Sequence, residues 1–385
     1  MQVAFEKGAV RLETAASQFP SISGGAGKSH LLVLTADPRH PLYSSWLPHW
    51  KGPWTTVSPA EAAVEHWREA ALVVTHDTYV DPGRSRVQEI VAADVPTLIL
   101  ADGILEYRNT WEHPQLVPGA IFQPVLGHKL ACIGRSQARV VESWGNAGKC
   151  EVVGSPRLDR YAQLRRRERK PGEPFRLLIM TALTPFFTRR HRDLLTSALR
   201  AAKAFLGSRK EIAGCRVEPV WRLTKGLERE LNVPSDASEL TGLGIAEVLQ
   251  TVDAVLTTAS TSMLEAMLLG LPVAVLDYDN SPAYVQPAWR VSAPEHLPTV
   301  IEELVNPPAP KLLFQDLTLH DALECATPAT PRLLQLISEM VRHSEDARDR
   351  GEAPRFPAQI LATETARHSA PELTSDFPVL SRLQT

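Results

Sequence analysis

The stretch DAVLTTASTSMLEAMLLGLPVAVLDYDNSP, residues 253–282, decides the fold. An apolar, β-rich run (Ala254 to Thr257) gives way to a hydroxyl-rich turn (Thr258 to Ser262). Helical spacing follows as far as Leu269, then a stop at Gly270 and a second β-rich run (Val273 to Leu276). Strand, turn, helix and strand make a βαβ unit. Its crossover is expected to be right-handed, which puts both strand carboxyl ends on one edge of a parallel sheet. Ligands of open α/β sheets bind along that edge. Thr258, Ser260, Thr261 and Ser262 thus stand both on the ligand edge and at a helix N-terminus, where N–H groups and the helix dipole attract an anion. Ser262-x-x-Glu265 also reads as a capping box, which would use both side chains structurally. Four hydroxyl residues where a cap needs one favour nucleotide phosphate binding.

The same alternation runs along the chain. Short β-rich runs stand at Leu31 to Thr35, Ala71 to Thr75, Thr97 to Ala101, Leu130 to Ile133 and Cys150 to Val153, with helix-like pieces such as Pro59 to Glu69 and Ser136 to Trp144 between them. A charged, then Pro/Gly-rich connector, RRRERKPGEP (165–174), precedes a second series: Arg176 to Thr181, Arg216 to Leu223, Val252 to Thr257 and Val273 to Leu276. Residues 188 to 206 carry leucines and alanines at helical spacing, with Gly207 as the stop. Strands alternating with helices predict parallel sheets covered on both faces. The predicted division is an N-terminal domain (1–165), a linker (166–174), a second domain (175–350) and an irregular, proline-rich tail (351–385). One amphipathic helix is expected at about 331 to 341.

Composition narrows the function. With 385 residues and a net charge of −3, nothing calls for nucleic acid. Four dispersed cysteines without C-x-x-C fit reduced thiols in a cytoplasmic protein. There is no apolar run of membrane-spanning length and no signal-peptide pattern at the N-terminus, although the arginines of the connector leave room for peripheral membrane association. Gly27-Lys28-Ser29 is not a P-loop: position 22 is Ile22 rather than Gly, and the apolar run follows the glycines instead of preceding them.

The 253–278 segment resembles the nucleotide-binding segment in the C-terminal domain of GT-B glycosyltransferases. It is similar, more narrowly, to bacterial enzymes of surface-polysaccharide assembly: the sialyltransferase-like, glycerophosphotransferase-like and UDP-GlcNAc 2-epimerase-like branches. The resemblance implies an α/β fold of two facing Rossmann-like domains with parallel sheets and a cleft between them. It implies a donor nucleotide held mainly by the second domain. LLIMTALTPFFTRRHRD (177–193) resembles the first strand and loop of such a domain, which makes Thr181, Thr184 and Arg189 to His191 candidates. VWRLTKG (220–226) resembles the next strand, where Arg222 and Lys225 would balance diphosphate charge. ELTGLGIAEVLQTVD (239–253) resembles the segment against which the nucleobase packs. GSPRLDRY (154–161) resembles the boundary element, with Gly154 and Pro156 shaping the crossover and Arg157 and Asp159 facing the cleft.

Transfer needs a base on the opposite domain. Asp37, Asp77 and Asp102 each follow an N-terminal strand and belong on its ligand edge. TLILADGILEYRNTWEHP (97–114) concentrates Asp102, Glu106, Arg108, Asn109, Glu112 and His113 behind Gly103. Its Asp-Gly pair resembles the acidic-acidic-Gly element of bacterial sialyltransferases, with Ala101 in place of the first acid. The order of candidates for the base is Asp102, Glu106, Asp77; the alternative for Asp102 is an Asp-Gly turn. The Asp277-Tyr278-Asp279 triplet has the spacing of a carboxylate metal site but lies late in the chain, and the histidines show no zinc spacing. The expected enzyme is therefore a metal-independent glycosyltransferase without a tightly bound cofactor. It would move a sugar from a CMP-, CDP- or UDP-linked donor to a glycan or lipid-linked glycan acceptor. A UDP-GlcNAc 2-epimerase-like isomerase and a non-catalytic nucleotide-sugar-binding protein are the alternatives. Against the isomerase stands the missing His before the acidic loop.

Overall fold

A computed structural model describes residues 30–116, 120–209, 211–233 and 244–362. The Gly27-Lys28-Ser29 stretch, residues 239 to 243 of the expected nucleobase segment and the tail beyond 362 lie outside them. Six strands form the first sheet: β1 (Leu31–Leu34), β2 (Trp54–Val57), β3 (Leu72–Thr75), β4 (Thr97–Leu100), β5 (Lys129–Cys132) and β6 (Cys150–Val152). Their order is β2-β1-β3-β4-β5-β6. Five form the second: β7 (Phe175–Met180), β8 (Val217–Arg222), β9 (Ala254–Thr257), β10 (Val273–Leu276) and β11 (Trp289–Val291), in the order β11-β10-β9-β7-β8. Every strand pair is parallel. Each sheet reverses its winding beside its first strand, so the switch points lie between β1 and β3 and between β7 and β9.

Sheets covered on both faces need near-continuous apolar strands. β1, β3, β4, β9 and β10 are buried at every position. The two strands not anticipated from sequence, β2 and β11, are edges. β2 is half-exposed Trp-Thr-Thr-Val, and β11 is three residues with a partly exposed Arg290 at its centre. The helices Arg135–Ser143 and Arg189–Gly207 stand where expected, while the Pro59 to Glu69 piece shrinks to Val64–Trp67. Several prolines after residue 294 open helices rather than loops. Pro298 and Pro310 sit in the first turns of Leu297–Val305 and Ala309–Ala322, and Pro328 is the cap of Ala329–Asp349. Their missing N–H costs nothing at those positions.

The two halves share a core. One apolar cluster joins Ala101, Leu105 and Ile133 of the first half to Met263, Val275 and Leu319 of the second. The chain then returns. The helix Ala329–Asp349 lays Leu333, Leu336, Ile337 and Met340 on Leu31, Val33, Leu72 and Val74, so residues 329–349, expected in the second domain, pack on the first sheet. Asp159 fixes the start of that helix by accepting the N–H groups of Ala329 and Thr330 at 2.8 Å each; it does not face the cleft. Gly154, at φ +93°, lies so close that a Cβ would stand 2.8 Å from Ala329 Cβ. Residues 355 to 361 then run back as a strap over a buried ion pair. Lys129 Nζ donates to Glu151 Oε1 (2.8 Å) and to the carbonyls of Pro357 (2.6 Å) and Ala358 (3.0 Å). Glu151 in turn accepts from the backbone N–H groups of Ile360 (2.8 Å) and Leu361 (3.0 Å). Among the described residues no helix is long and apolar enough to cross a membrane.

Both partners of the Lys129–Glu151 pair are 1% exposed at the side chain, so neutralising one leaves the other charge stranded. Glu151→Gln is expected to cost about 3 kcal/mol or more, read as a lower urea midpoint at unchanged slope. A loss below the error of the fit would show that the pair does not hold the strap.

Candidate functional site

The site begins at the β7/β9 switch point. Thr258 is 1% exposed, and its Oγ1 accepts the N–H of Ala182 at 2.8 Å. Thr224 Oγ1 donates to the Ala182 carbonyl at 2.7 Å and also bonds Thr181 Oγ1 at 3.0 Å. Three threonines from three strand ends thus fix the loop after β7. Thr184 is exposed on that loop. Arg222 closes β8, and Lys225 stands exposed at φ +56° in the turn beyond it. All three border the same sheet edge.

Ser260, Thr261 and Ser262 are half-buried at the edge. Ser260 Oγ and Ser262 Oγ bond each other at 2.6 Å. The capping box does not form: the helix runs Ser262–Leu268 with Thr261 as its cap and no side-chain cap bond. Glu265 is then the fourth helical residue, one place too far to reach back. It is instead 7% exposed and accepts the Tyr161 hydroxyl at 3.0 Å across the domain boundary. Burial, and then this carboxylate, raise the Tyr161 pKa.

The opposing wall comes from the first sheet. Asp102, Gly103 and Ile104 follow β4, and their turn touches the second domain directly. Ile104 N–H donates to Thr261 Oγ1 at 3.2 Å, and a Cβ on Gly103 would lie 2.0 Å from the same oxygen. Gln137 holds the turn from behind by donating to the Gly103 carbonyl at 2.8 Å. Asp102 is half-exposed beside this contact. Arg157 Nη1 stands 3.9 Å from its Oδ1, which makes no hydrogen bond. Burial, followed by the charges of Asp102 and Asp77, pushes the Tyr79 pKa up, so both carboxylates act on the same part of the edge.

Glu106 has a different setting. Its carboxylate caps the helix Tyr107–Trp111 through Asn109 N–H (2.7 Å) and accepts Arg108 Nε (2.7 Å), with the Arg108 side chain 9% exposed. Both oxygens are engaged, whereas Asp102 Oδ1, buried beside Arg157, makes no hydrogen bond. Glu106 and Arg108 line a small interdomain cavity with Met263, Asp277, Tyr284 and Arg290. There Arg290 bonds Asp277 Oδ2 (2.8 Å) and the Ser281 carbonyl (2.7 Å). Trp111 Nε1 donates to the Tyr284 hydroxyl at 2.8 Å, closing the wall. Arg290 and Tyr284 carry no motif and were not among the sequence candidates; their proximity depends on where β11 falls.

No protein-family model and no curated protein matches this sequence. Solved structures do match in fold. S. aureus MnaA, in a co-structure with UDP, aligns with TM-score 0.53 at 12% identity over 82% of this chain and 97% of that one. Methanocaldococcus jannaschii UDP-GlcNAc 2-epimerase, in complex with UDP-GlcNAc and UDP, gives 0.52 at 11% over 80% and 99%. The wall teichoic acid polymerase TagF, in a variant soaked with CDPG, gives 0.50 at 13% over 84% and 90%. The chain has the GT-B fold, two parallel-sheet α/β domains facing each other, as its sequence resemblance implied.

A Cβ at 103 would overlap Thr261 Oγ1, so in Gly103→Ala either the hydroxyl turns away and gives up the Ile104 N–H or the two turns separate. A loss of about 1 to 3 kcal/mol is expected in urea unfolding. Adding Thr261→Ala to the same chain is expected to restore most of it, because it removes the clashing oxygen. Strict additivity in this double-mutant cycle would show that the two residues do not meet.

Proposed function

We propose that this protein is a GT-B glycosyltransferase that moves a sugar from a nucleotide-activated donor to a glycan or lipid-linked glycan acceptor. The observation that carries the reading is the meeting of the Asp102-Gly103-Ile104 turn with Thr261. It sets the Asp102 turn, whose carboxylate has one oxygen without a hydrogen bond, directly against a hydroxyl-rich helix start of the second domain.

On this reading the donor diphosphate lies against Ser260, Thr261 and Ser262, and Thr258 keeps the adjoining loop in place. The N–H groups of Met263 and Leu264 already bond the carbonyls of Ser260 and Thr261, so the anion would be met by the hydroxyls and the positive end of the helix dipole. Ser260 and Ser262, now bonded to each other, can turn both hydroxyls to phosphate oxygens without breaking a backbone bond. Thr184, Arg222 and Lys225 border the same edge, where the two cations would balance the leaving diphosphate. Glu265 supports this turn from within the boundary through Tyr161.

Asp102 serves as general base. It takes the proton of the acceptor hydroxyl as that oxygen attacks the anomeric carbon and the bond to the nucleotide diphosphate breaks. Arg157 Nη1 stands 3.9 Å from Asp102 Oδ1 and orients it. Support for a nucleotide-sugar substrate comes from the neighbours, whose structures hold UDP, UDP-GlcNAc or CDPG.

A thermal-shift panel with CMP, CDP, UDP, GDP and ADP is expected to raise the melting temperature for one pyrimidine nucleotide in proportion to ln(1 + [L]/Kd). Asp102→Asn should keep that shift and lower acceptor-dependent donor consumption by about 100- to 10,000-fold. Unchanged turnover in Asp102→Asn would remove the base assignment. Conversion of UDP-GlcNAc without acceptor would place the chain among isomerases instead.

A further inference from the structure

A second cluster spans the cleft at a different place. Glu112 ends the helix Tyr107–Trp111 of the first half; His191 lies in the first turn of Arg189–Gly207; Asp279 follows β10. Glu112 Oε2 stands 2.8 Å and Asp279 Oδ2 3.8 Å from His191 Nε2, and the three ligand atoms lie within 4.8 Å of one another. Around a divalent ion with bonds of about 2.0 to 2.2 Å, tetrahedral ligand atoms sit roughly 3.4 Å apart. The observed spacings bracket that value, so side-chain rotation alone would close the set.

The elements that carry the donors are fixed, although His191 Nδ1 itself makes no hydrogen bond. Thr188 Oγ1 accepts the N–H of His191 at 3.2 Å and fixes the first helical turn. Ser281 Oγ donates to Asp279 Oδ2 at 3.0 Å, an orienting contact of the kind that supports ligating carboxylates. The indole of Trp111, next to Glu112, is bonded to Tyr284 of the other domain. Burial sharpens the case: the side chains of His191 and Asp279 are 2% and 6% exposed. Asp279 Oδ1 makes no aligned hydrogen bond; its compensation is the exposed Arg190, 2.7 Å away, which can swing out to solvent.

We propose that Glu112, His191 and Asp279 bind one divalent transition-metal ion, with Zn2+ the best match, water completing the shell. One imidazole and two carboxylates suit Zn2+, Co2+ or Mn2+, whereas Mg2+ and Ca2+ take oxygen ligands. Because Glu112 comes from one domain and the other two from the second, the ion ties the lobes together beside the cleft. This site uses none of the residues set against the diphosphate above, although His191 was a sequence candidate on the donor side.

The test is calorimetric titration of the chelator-treated full chain with ZnCl2, followed by Co2+ titration in visible absorption. One Zn2+ per chain, a rise in melting temperature and Co2+ d–d bands are expected. Glu112→Gln, at an exposed position that tolerates the change, and Asp279→Asn should each weaken binding at least about tenfold. Arg190→Ala should tighten it, since a competing positive charge is gone. Absence of binding to the wild-type chain, or binding that Glu112→Gln and Asp279→Asn leave unchanged, would overturn the proposal and leave a hydrogen-bonded Glu–His pair.

Discussion

The contact on which the arrangement depends is the approach of Gly103 to Thr261 Oγ1. It sets how closely the carboxyl edges of the two sheets face each other. Any side chain at 103 would press on that oxygen, and losing the oxygen would leave Ile104 N–H without its partner. The rest of the boundary is consistent with this distance. Tyr161 reaches Glu265, Trp111 reaches Tyr284, and the helix Ala329–Asp349 returns to the first sheet under the grip of Asp159. These contacts come from three separate segments of the first half and its returning helix, so the boundary is held at more than one place.

The fold was legible wherever a strand is buried on both faces. Val-Ile-Leu runs such as those of β3, β4 and β10 have no other use, and two αβ series separated by a charged connector imply two sheets. β2 and β11 escaped because edge strands carry mixed, half-exposed residues that periodicity does not separate from loops. The C-terminal helices were obscured by their prolines, which sit at starts where they do no harm but read as breakers from sequence. The return of residues 329–349 to the first sheet could not be read from sequence, because an amphipathic stripe records that a partner exists and not which face supplies it.

The site was legible in part. The Asp-Gly turn and the Thr258 to Ser262 turn were each visible as strand-end motifs, and the parallel topology brings them to facing edges. Side-chain partners were not. Glu265 looked like half of a capping box, yet a helix beginning one residue earlier turned it inward to Tyr161. Glu106 looked like a second acid, but its oxygens are taken by Asn109 and Arg108. Asp277 and Asp279 looked like one unit, whereas Arg290 engages the first and Arg190, Ser281 and His191 surround the second. In each case the deciding factor was a residue far away in sequence, and motif spacing carries no information about it.

The central claim is that a nucleotide binds where the Asp102–Ile104 turn faces the Thr258–Ser262 turn. Hydrogen–deuterium exchange of the full chain with and without UDP or CDP tests it most directly, because it reports position without assuming a reaction. Slowed exchange in peptides covering residues 258 to 264 and 102 to 105 on adding nucleotide is the predicted result. Protection confined to other segments, with both turns exchanging as before, would contradict it.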